Sequence, residues 1–300
     1  MASDNTYESY YVPHNSPLPI FASLGLFLTV YGGGSLLNEM SSGASSNFGI
    51  TVFMMGGLVM AATLFFWFSK VIEENHAKMY SQQMNKSFVW GMSWFIFSEV
   101  MFFATVFATL FYTRIFIIPW LSGTYEGQEI THYVLWPHFQ MQWPLFNTPD
   151  PSMFLGPLKT IPTWEIPALN TLILLTSGLT ITVAHWGIIR QDKKMALVGQ
   201  GLTILLGVIF LFLQAHEYVE AYHIYDLKLN SGVYGNTFFM LTGLHGFHVA
   251  LGTVMLICIW FRIYFNHFNA QYHFAFEAVA WYWHFVDVVW LILFVFVYWI

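Results

Sequence analysis

One carboxyl group stands in the middle of an apolar stretch near residue 100. Glu99 lies in the segment FIFSEVMFF, 13 residues after Lys86, which is about 20 Å along a helix at 1.5 Å per residue. No basic residue lies within a helical turn of it in the sequence, and desolvation favours the neutral form of a carboxyl group. Because ionisable residues at membrane depth are costly and mostly functional, we predict that Glu99 exchanges protons or contacts lipid. A protonated glutamate that serves packing alone is the alternative.

Two histidines lie three residues apart in a second apolar stretch, FFMLTGLHGFHVALG. His245 and His248 share a helix face at this spacing. Gly246 and Ala250 form a small-xxx-small pair beside them, which would let another helix approach closely in a membrane. A metal or haem site is one hypothesis. Two neutral histidines that hydrogen-bond across a tight helix contact are the favoured one, since two ligands do not complete a metal site.

A third apolar stretch, FEAVAWYWHFVDVVW, combines acids, a histidine and tryptophans. Glu277, Trp281 and His284 follow the spacing of one helix face, and Asp287 comes three residues after His284, a spacing at which the last two could pair. Such a set could form a redox site. A structural His–Asp pair inside a helix bundle is more common, and the sequence favours it.

Two further acids lie near the end of a fourth stretch, LQAHEYVEAYH. Glu217 and Glu220 share a helix face, and His216 lies four residues before Glu220. The sequence favours neither a solvated helix end nor a functional site here.

The histidines of the apolar stretches form no recognisable metal-binding motif. They are spread over three stretches, as His185, His245, His248 and His284. The sequence has no HxxHH or HxxxH cluster of the kind that membrane di-iron hydroxylases use, and no phosphate-binding, dinucleotide-binding or HExxH motif. The residues alone therefore indicate buried carboxyl groups without an evident active site. Two alternatives stay open: a membrane enzyme with its own metal or haem on His245, His248 and His284, and a proton carrier that uses Glu99.

Composition places all these residues in a membrane protein. Hydrophobic residues make up 57% of the chain and charged residues 9%, whereas soluble domains carry about 25% charged residues. Aromatic residues reach 20%, which suits a chain with many membrane–water interfaces. The ten Lys and Arg residues are too few and too scattered for a nucleic-acid-binding surface, so no nucleic-acid partner is predicted. The single cysteine, Cys258, excludes an internal disulfide and a cysteine metal cage.

Seven apolar stretches are long enough to cross a bilayer as helices. Prolines open the first and the fourth, which suits the first turn of a helix because its N–H groups have no intrahelical partner. We therefore predict an all-α, polytopic integral membrane protein with seven transmembrane helices, at Pro17–Leu37, Phe48–Ser69, Phe88–Tyr112, Pro167–Ile189, Met195–Ala215, Thr237–Phe261 and Ala278–Trp299.

The connections divide the chain into segments. Residues 1–16 precede the first span, 17–69 form a two-helix unit, 70–87 form an inner loop, and 88–300 hold a five-helix bundle. Its long outer loop, 113–166, is rich in Pro, Trp and Thr and shows no clear secondary-structure pattern. No internal repeat is evident, so an inverted-repeat transporter has no support.

The distribution of basic residues predicts the orientation in the membrane. With the N-terminus inside, seven Lys and Arg residues fall on the inner side and three on the outer side, although the outer loops are longer. The positive-inside rule therefore places the N-terminus inside and the C-terminus outside. The inner set is Lys70, Lys78, Lys86, Arg190, Lys193, Lys194 and Arg262, and the outer set is Arg114, Lys159 and Lys228.

Several of these segments resemble the signature regions of cytochrome c oxidase subunit III. The most specific is FEAVAWYWHFVDVVWLILFVFVYW, at Phe276–Trp299, which is similar to the family's terminal helix. Seven spans fit this family better than the five-span subunit III of quinol oxidases, which remains an alternative. Four more motifs follow the family's order: GMSWFIFSEVMFF (Gly91–Phe103), LLTSGLTITVAHW (Leu174–Trp186), LQAHEYVEA (Leu213–Ala221) and GVYGNTFFMLTGLHGFHVALG (Gly232–Gly252).

The resemblance implies a non-catalytic subunit of a proton-pumping terminal oxidase that reduces oxygen to water. Such a subunit packs on subunit I, in a complex that also contains subunit II, and it supports proton uptake and the stability of the active centre. The haem and copper belong to the partner subunits, bound phospholipids are the only ligands expected in this chain, and cytochrome c is the expected substrate of the complex. Helices 1–2 are expected to be separated from helices 3–7 by a lipid-filled, V-shaped cleft.

The resemblance also suggests roles for individual residues. Glu99 matches the family's buried glutamate in the cleft, which is linked to proton delivery. Arg262 and His267 resemble inner-side residues that contact lipid phosphate. Trp67 and Glu74 occupy similar positions at the end of the second helix.

The sequence departs from the family pattern at the inner side. Ser69 stands where the family often has arginine, and Phe265 stands where a basic residue is expected. The loop 113–166 is longer than in compact animal versions, which suggests a bacterial cytoplasmic membrane. The mitochondrial inner membrane is the alternative.

Overall fold

The protein is all-α in this computed structural model, which describes residues 11–12, 15–43, 46–125, 127 and 129–299. Seven helical segments are long and apolar enough to cross a membrane, as the sequence predicted. The helices are α1 (Leu18–Ser42), α2 (Phe48–His76), α3 (Gln82–Tyr112), α4 (Ile118–Leu121), α5 (Glu129–Leu135), α6 (Ile166–Ile189), α7 (Lys193–His223), α8 (Gly232–Tyr264) and α9 (Phe274–Leu293).

Several helices extend beyond the predicted spans. α2 continues to His76 instead of ending at Ser69, and α3 begins at Gln82 instead of Phe88. The connection between them is therefore 77–81, and most of the segment predicted as the inner loop 70–87 is helical. Hydropathy detects only the part of a helix that suits the hydrocarbon core, whereas backbone hydrogen bonding continues through polar residues at the interface.

The outer segment 113–166, predicted without secondary structure, is partly helical. A π-helical segment, Thr113–Ile117, joins α3 to α4, so that one candidate span runs without a break over Gln82–Leu121. The short helix α5 follows, and the remaining described residues of the loop are irregular. Phe139, Leu145 and Ile161 of this loop are buried, so the loop contributes to the apolar core.

Glycines hold α1 and α2 in close contact. Gly25 and Gly32 on α1 and Gly49 and Gly56 on α2 each repeat after seven residues, which places each pair on one helix face. A Cβ added at Gly32 would lie 2.2 Å from the backbone nitrogen of Phe53. Small residues replace the hydrophobic driving force between helices in lipid, because they allow backbones to touch. α1 and α2 thus pack together apart from the other helices: the described residues up to Trp90 form one compact unit, and those from Gly91 form another.

The second unit is organised around tryptophans of α9. Trp283 and Trp290 are fully buried. The ring of Trp283 lies 2.8 Å from where a Cβ would stand on Gly207 of α7 and 2.9 Å from one on Gly252 of α8. Its indole Nε1 donates a 2.8 Å hydrogen bond to Ser177 Oγ on α6. One side chain therefore joins four helices, and the two glycines make room for it.

Candidate functional site

Glu99 has a histidine partner from another helix. Its Oε2 lies 3.0 Å from Nε2 of His248, which is 149 residues away in the sequence. The side chains are 22% and 10% exposed, respectively. Both residues were singled out from the sequence, but their contact was not predicted. Sequence neighbours alone show no partner for Glu99, because His248 reaches it only through helix packing.

The proton positions of this pair follow from its second hydrogen bond. His248 Nδ1 lies 2.7 Å from the carbonyl oxygen of Leu244, which can only accept, so Nδ1 carries a proton. Nε2 then either accepts from a protonated Glu99 or, in the imidazolium form, donates to the carboxylate. Phe103 covers the ring at a centroid distance of 4.9 Å. The arrangement can share one proton between a carboxyl group and an imidazole in apolar surroundings.

His245 and His248 point to different neighbours. His245 is buried, and its Nε2 lies 3.2 Å from the carbonyl oxygen of Val286 on α9. The close helix contact predicted at Gly246 is not found among the described residues: a Cβ added there would meet no described atom within 4 Å, whereas one added at Gly252 would meet the ring of Trp283.

Asp287 faces the backbone of α6. Its Oδ2 lies 3.9 Å from His284 Nδ1, which is too long for the hydrogen bond that the three-residue spacing suggested. The same oxygen lies 2.8 Å from the position of a Cβ on Gly178. Asp287 is buried, so the absence of a side chain at residue 178 is what lets the carboxyl group fit.

Glu217 and Glu220 occupy different environments. Glu217 is fully buried and accepts hydrogen bonds from Tyr298 Oη at 2.6 Å and from Gln214 Nε2 at 3.1 Å. Glu220 lies 3.8 Å from the more exposed His216. The sequence left the choice open between a solvated end and a site. The structure separates the two acids, because Tyr298 closes over only one of them.

A cluster of two histidines and one glutamate lies where α6 ends and α9 begins. Glu277 Oε1 is 3.6 Å from His185 Nε2 and 3.2 Å from His273 Nε2. Among the described residues, this is the one group of three such side chains whose ligand atoms lie within 4.8 Å of one another. His273 was not predicted from the sequence, although its position four residues before Glu277 places both on one helix face. The alternative metal-binding set of His245, His248 and His284 does not come together among the residues that the structure describes.

Glu74 at the end of α2 is held by two tyrosines. Tyr80 donates a 2.7 Å hydrogen bond to its Oε2, and Tyr11 donates a 3.1 Å bond to its Oε1. Burial and then the hydrogen bond to Glu74 raise the pKa of Tyr80 well above its usual value. Trp67, seven residues earlier on the same helix, is 52% exposed.

Arg262 lies at the last turn of α8. Its guanidinium carbon is 4.6 Å from the ring centroid of Phe268, which is a cation–π contact. Its Nε is buried without a hydrogen-bond partner among the described atoms. His267 closes the following turn, because its backbone N–H donates to the carbonyl oxygen of Arg262 at 3.0 Å.

Comparison with known proteins identifies the family. The family described as "Cytochrome c oxidase subunit III" matches residues 8–149 and 151–300. The chain belongs to the cytochrome c oxidase subunit III family. This confirms the resemblance that the five sequence motifs suggested, and it makes the chain a subunit of a cytochrome c oxidase complex, which implies other oxidase subunits as partners.

Individual members of the subunit III family match over nearly their whole length. "Cytochrome c oxidase subunit 3" of Prototheca wickerhamii is 36% identical over 284 residues, covering 94% of each chain. The protein of the same name from Locusta migratoria is 35% identical, covering 100% of this chain and 99% of its own. That of Bos taurus is 37% identical, covering 97% of each. A multi-pass membrane location follows from the family and the seven spans.

Proposed function

We propose that the chain is a non-catalytic subunit of a proton-pumping terminal oxidase that reduces oxygen to water, and that it packs on subunit I beside subunit II. The observation that carries the proposal is the family match over almost every residue of the chain. The family carries no redox centre, so the haem and copper are assigned to the partner subunits and electron transfer from cytochrome c takes place there.

We assign support of proton uptake to the Glu99–His248 pair. The two groups lie 3.0 Å apart, and each is mostly withdrawn from solvent. A carboxyl group and an imidazole that share a proton exchange it with little rearrangement, since either can hold it. Intramembrane acids that pair with histidine are typical of proton relays. The pair would hold protons near the membrane interior and pass them toward the proton-uptake path of subunit I. A steady proton supply from this chain would also protect the active centre during turnover.

Phospholipid binding is assigned to the residues near the inner ends of the helices. Arg262 supplies a permanent cation for a phosphate head group, with His267 one turn away. Trp67 is exposed near the end of α2, where an indole ring suits the interface, and Glu74 lies a further two turns along.

The rival functions have less support. A metal or haem enzyme would need His245, His248 and His284 to converge, but His245 faces Val286 and His248 faces Glu99. A quinol oxidase subunit remains the alternative for the complex, because the electron donor would bind to another subunit. The relatives include mitochondrial proteins, and we propose a bacterial cytoplasmic or mitochondrial inner membrane with the N-terminus inside.

Purification through a tag on this chain tests the assignment. In mild detergent, haem absorbance should co-elute with this chain and the larger subunits. The absorbance should be absent from the fraction that contains this chain alone after it is stripped from the complex. Spectra and subunit masses are the readout. A chain that keeps a haem or copper spectrum after it is stripped would contradict the proposal.

The role of Glu99 is tested by Glu99→Gln in the whole oxidase reconstituted in vesicles. The amide matches the carboxyl group in size, so the complex should assemble with its normal subunit ratio, while proton uptake during turnover should slow several-fold. Glu220→Gln is the matched control, because this acid lies beside an exposed histidine and should leave uptake unchanged. Loss of assembly in Glu99→Gln, or unchanged proton uptake, would count against the relay.

A further inference from the structure

The cluster formed by His185, His273 and Glu277 has no part in the function assigned above. His185 lies one turn before the end of α6, His273 is the residue that precedes α9, and Glu277 lies in the first turn of α9. We propose that these three side chains bind a divalent transition-metal ion of the zinc class, which ties the end of α6 to the start of α9.

The distances fit a tetrahedral zinc ion. Zinc binds imidazole nitrogen and carboxylate oxygen at about 2.0–2.2 Å, which gives about 3.4 Å between neighbouring ligand atoms of a tetrahedron. Glu277 Oε1 lies 3.6 Å from one histidine nitrogen and 3.2 Å from the other. All three ligand atoms lie within 4.8 Å of one another, so small side-chain rotations bring them around one ion.

The two histidines present unused nitrogens. Nε2 of His185 and Nε2 of His273 are buried atoms without an aligned hydrogen-bond partner in the described part of the chain. His273 Nδ1 lies 3.1 Å from the carbonyl oxygen of Asn269, so Nδ1 carries the proton and Nε2 is left with a lone pair facing the cluster. A backbone carbonyl on the far nitrogen is the usual way in which metal-binding histidines are oriented.

Partial exposure gives an ion access to the cluster. The side chains of His185 and Glu277 are 29% and 32% exposed, and that of His273 is 10% exposed. Three protein ligands leave a fourth position for water. The Glu277 carboxylate neutralises part of the charge of the ion. The two imidazole nitrogens favour zinc-like ions over magnesium or calcium.

A simple ion pair between Glu277 and a protonated histidine is the competing explanation, and the chain provides a matched control for it. His216 and Glu220 have the same four-residue spacing on α7 and lie 3.8 Å apart, but no third ligand joins them in the described structure. A metal site requires all three groups, whereas an ion pair requires only two.

The test is zinc binding by the complex purified through a tag on this chain. After treatment of the wild-type complex with a chelator and addition of zinc chloride alone, mass spectrometry of metals should show one zinc ion per chain more than in the chelated complex before the addition. His185→Ala and His273→Ala should each weaken binding by at least about 100-fold, since loss of a mere orienting partner already costs 10–100-fold. His216→Ala should bind zinc as the wild type does. Zinc-edge X-ray absorption should show two imidazole nitrogens at about 2.0–2.1 Å.

Glu277→Gln keeps the size of the side chain and guards against misfolding in the histidine variants. It should assemble normally and bind zinc far more weakly. Wild-type binding should weaken on acidification, because protons compete with the ion for the histidine nitrogens. No added zinc in the wild type, or zinc that persists in both histidine variants and in Glu277→Gln, would overturn the proposal. The readout does not depend on oxidase activity, so it stands apart from the assignment to the oxidase.

Discussion

The contact between α1 and α2 predicts a sharp difference between two neighbouring glycines. A Cβ added at Gly56 would lie 2.3 Å from the backbone nitrogen of Thr29, whereas one added at Gly57 would meet no described atom within 4 Å. Gly56→Ala and Gly57→Ala therefore make the same chemical change on the same helix, and only one of them faces the partner helix.

The magnitude follows from the gap that the methyl group forces. Carbon and nitrogen need about 3.5 Å between them, so α1 and α2 must separate by about 1 Å near Gly56, and a gap of that size forfeits a quarter to a half of each contact energy nearby. Overpacking of this kind costs about 1–3 kcal/mol, and the better helix propensity of alanine returns about 0.5–1 kcal/mol. We expect Gly56→Ala to be destabilised by about 1–2 kcal/mol and Gly57→Ala to be unchanged or slightly more stable.

Unfolding of the purified chain in mixed detergent and dodecyl sulfate measures this difference. Far-UV circular dichroism reports helix content, and the fraction unfolded at each dodecyl sulfate concentration gives the free energy of unfolding of each variant. Equal stability of the two variants would refute the glycine contact as described. A destabilised Gly57→Ala variant would show instead that α2 uses another face.

The remaining predictions concern the second unit. Trp283→Phe should lower the free energy of unfolding by about 2 kcal/mol, because it leaves a void between Gly252 and α7 and removes a buried hydrogen bond. Trp281→Phe, at a residue that is 37% exposed, should stay within about 0.5 kcal/mol of wild type. Thermal unfolding in detergent distinguishes the two variants. Gly252→Ala should destabilise by about 1–3 kcal/mol through overpacking against the indole, but Gly246→Ala should not, and equal effects in the same assay would contradict the assigned helix face. Tyr298→Phe should cost about 1–3 kcal/mol by removing a donor from a buried carboxyl group, and an unchanged melting temperature would show that water replaces it.

The number and positions of the spans were predictable because they depend on local composition. Long apolar runs appear in the sequence itself, and the structure has seven candidate spans in the predicted order. Helix ends were less predictable: α7 continues past Ala215 to His223 because polar residues remain hydrogen-bonded along the helix after hydropathy falls. The short α5 was missed, since seven residues are too few for a periodic pattern.

The candidate sites were predictable as residues but not as partners. The cost of burying an ionisable group singled out Glu99, His245, His248 and Asp287 without structural information. Their partners depend on helix packing, and His248 meets Glu99 across 149 residues. His273 was not predictable in this way, because it precedes α9 and lies outside the apolar run, where an ionisable side chain carries no burial cost.

The length of α8 has a consequence for the surrounding bilayer. Its 33 residues span about 50 Å at 1.5 Å per residue, well beyond a hydrocarbon core of about 30 Å. The helix must therefore tilt or reach into the head-group layer, and Trp260, Arg262 and Tyr264 near its end are residues that suit the membrane–water interface. A change in acyl-chain length should therefore change how far these end turns reach into the head-group layer, while the packing of α8 against its neighbouring helices stays the same.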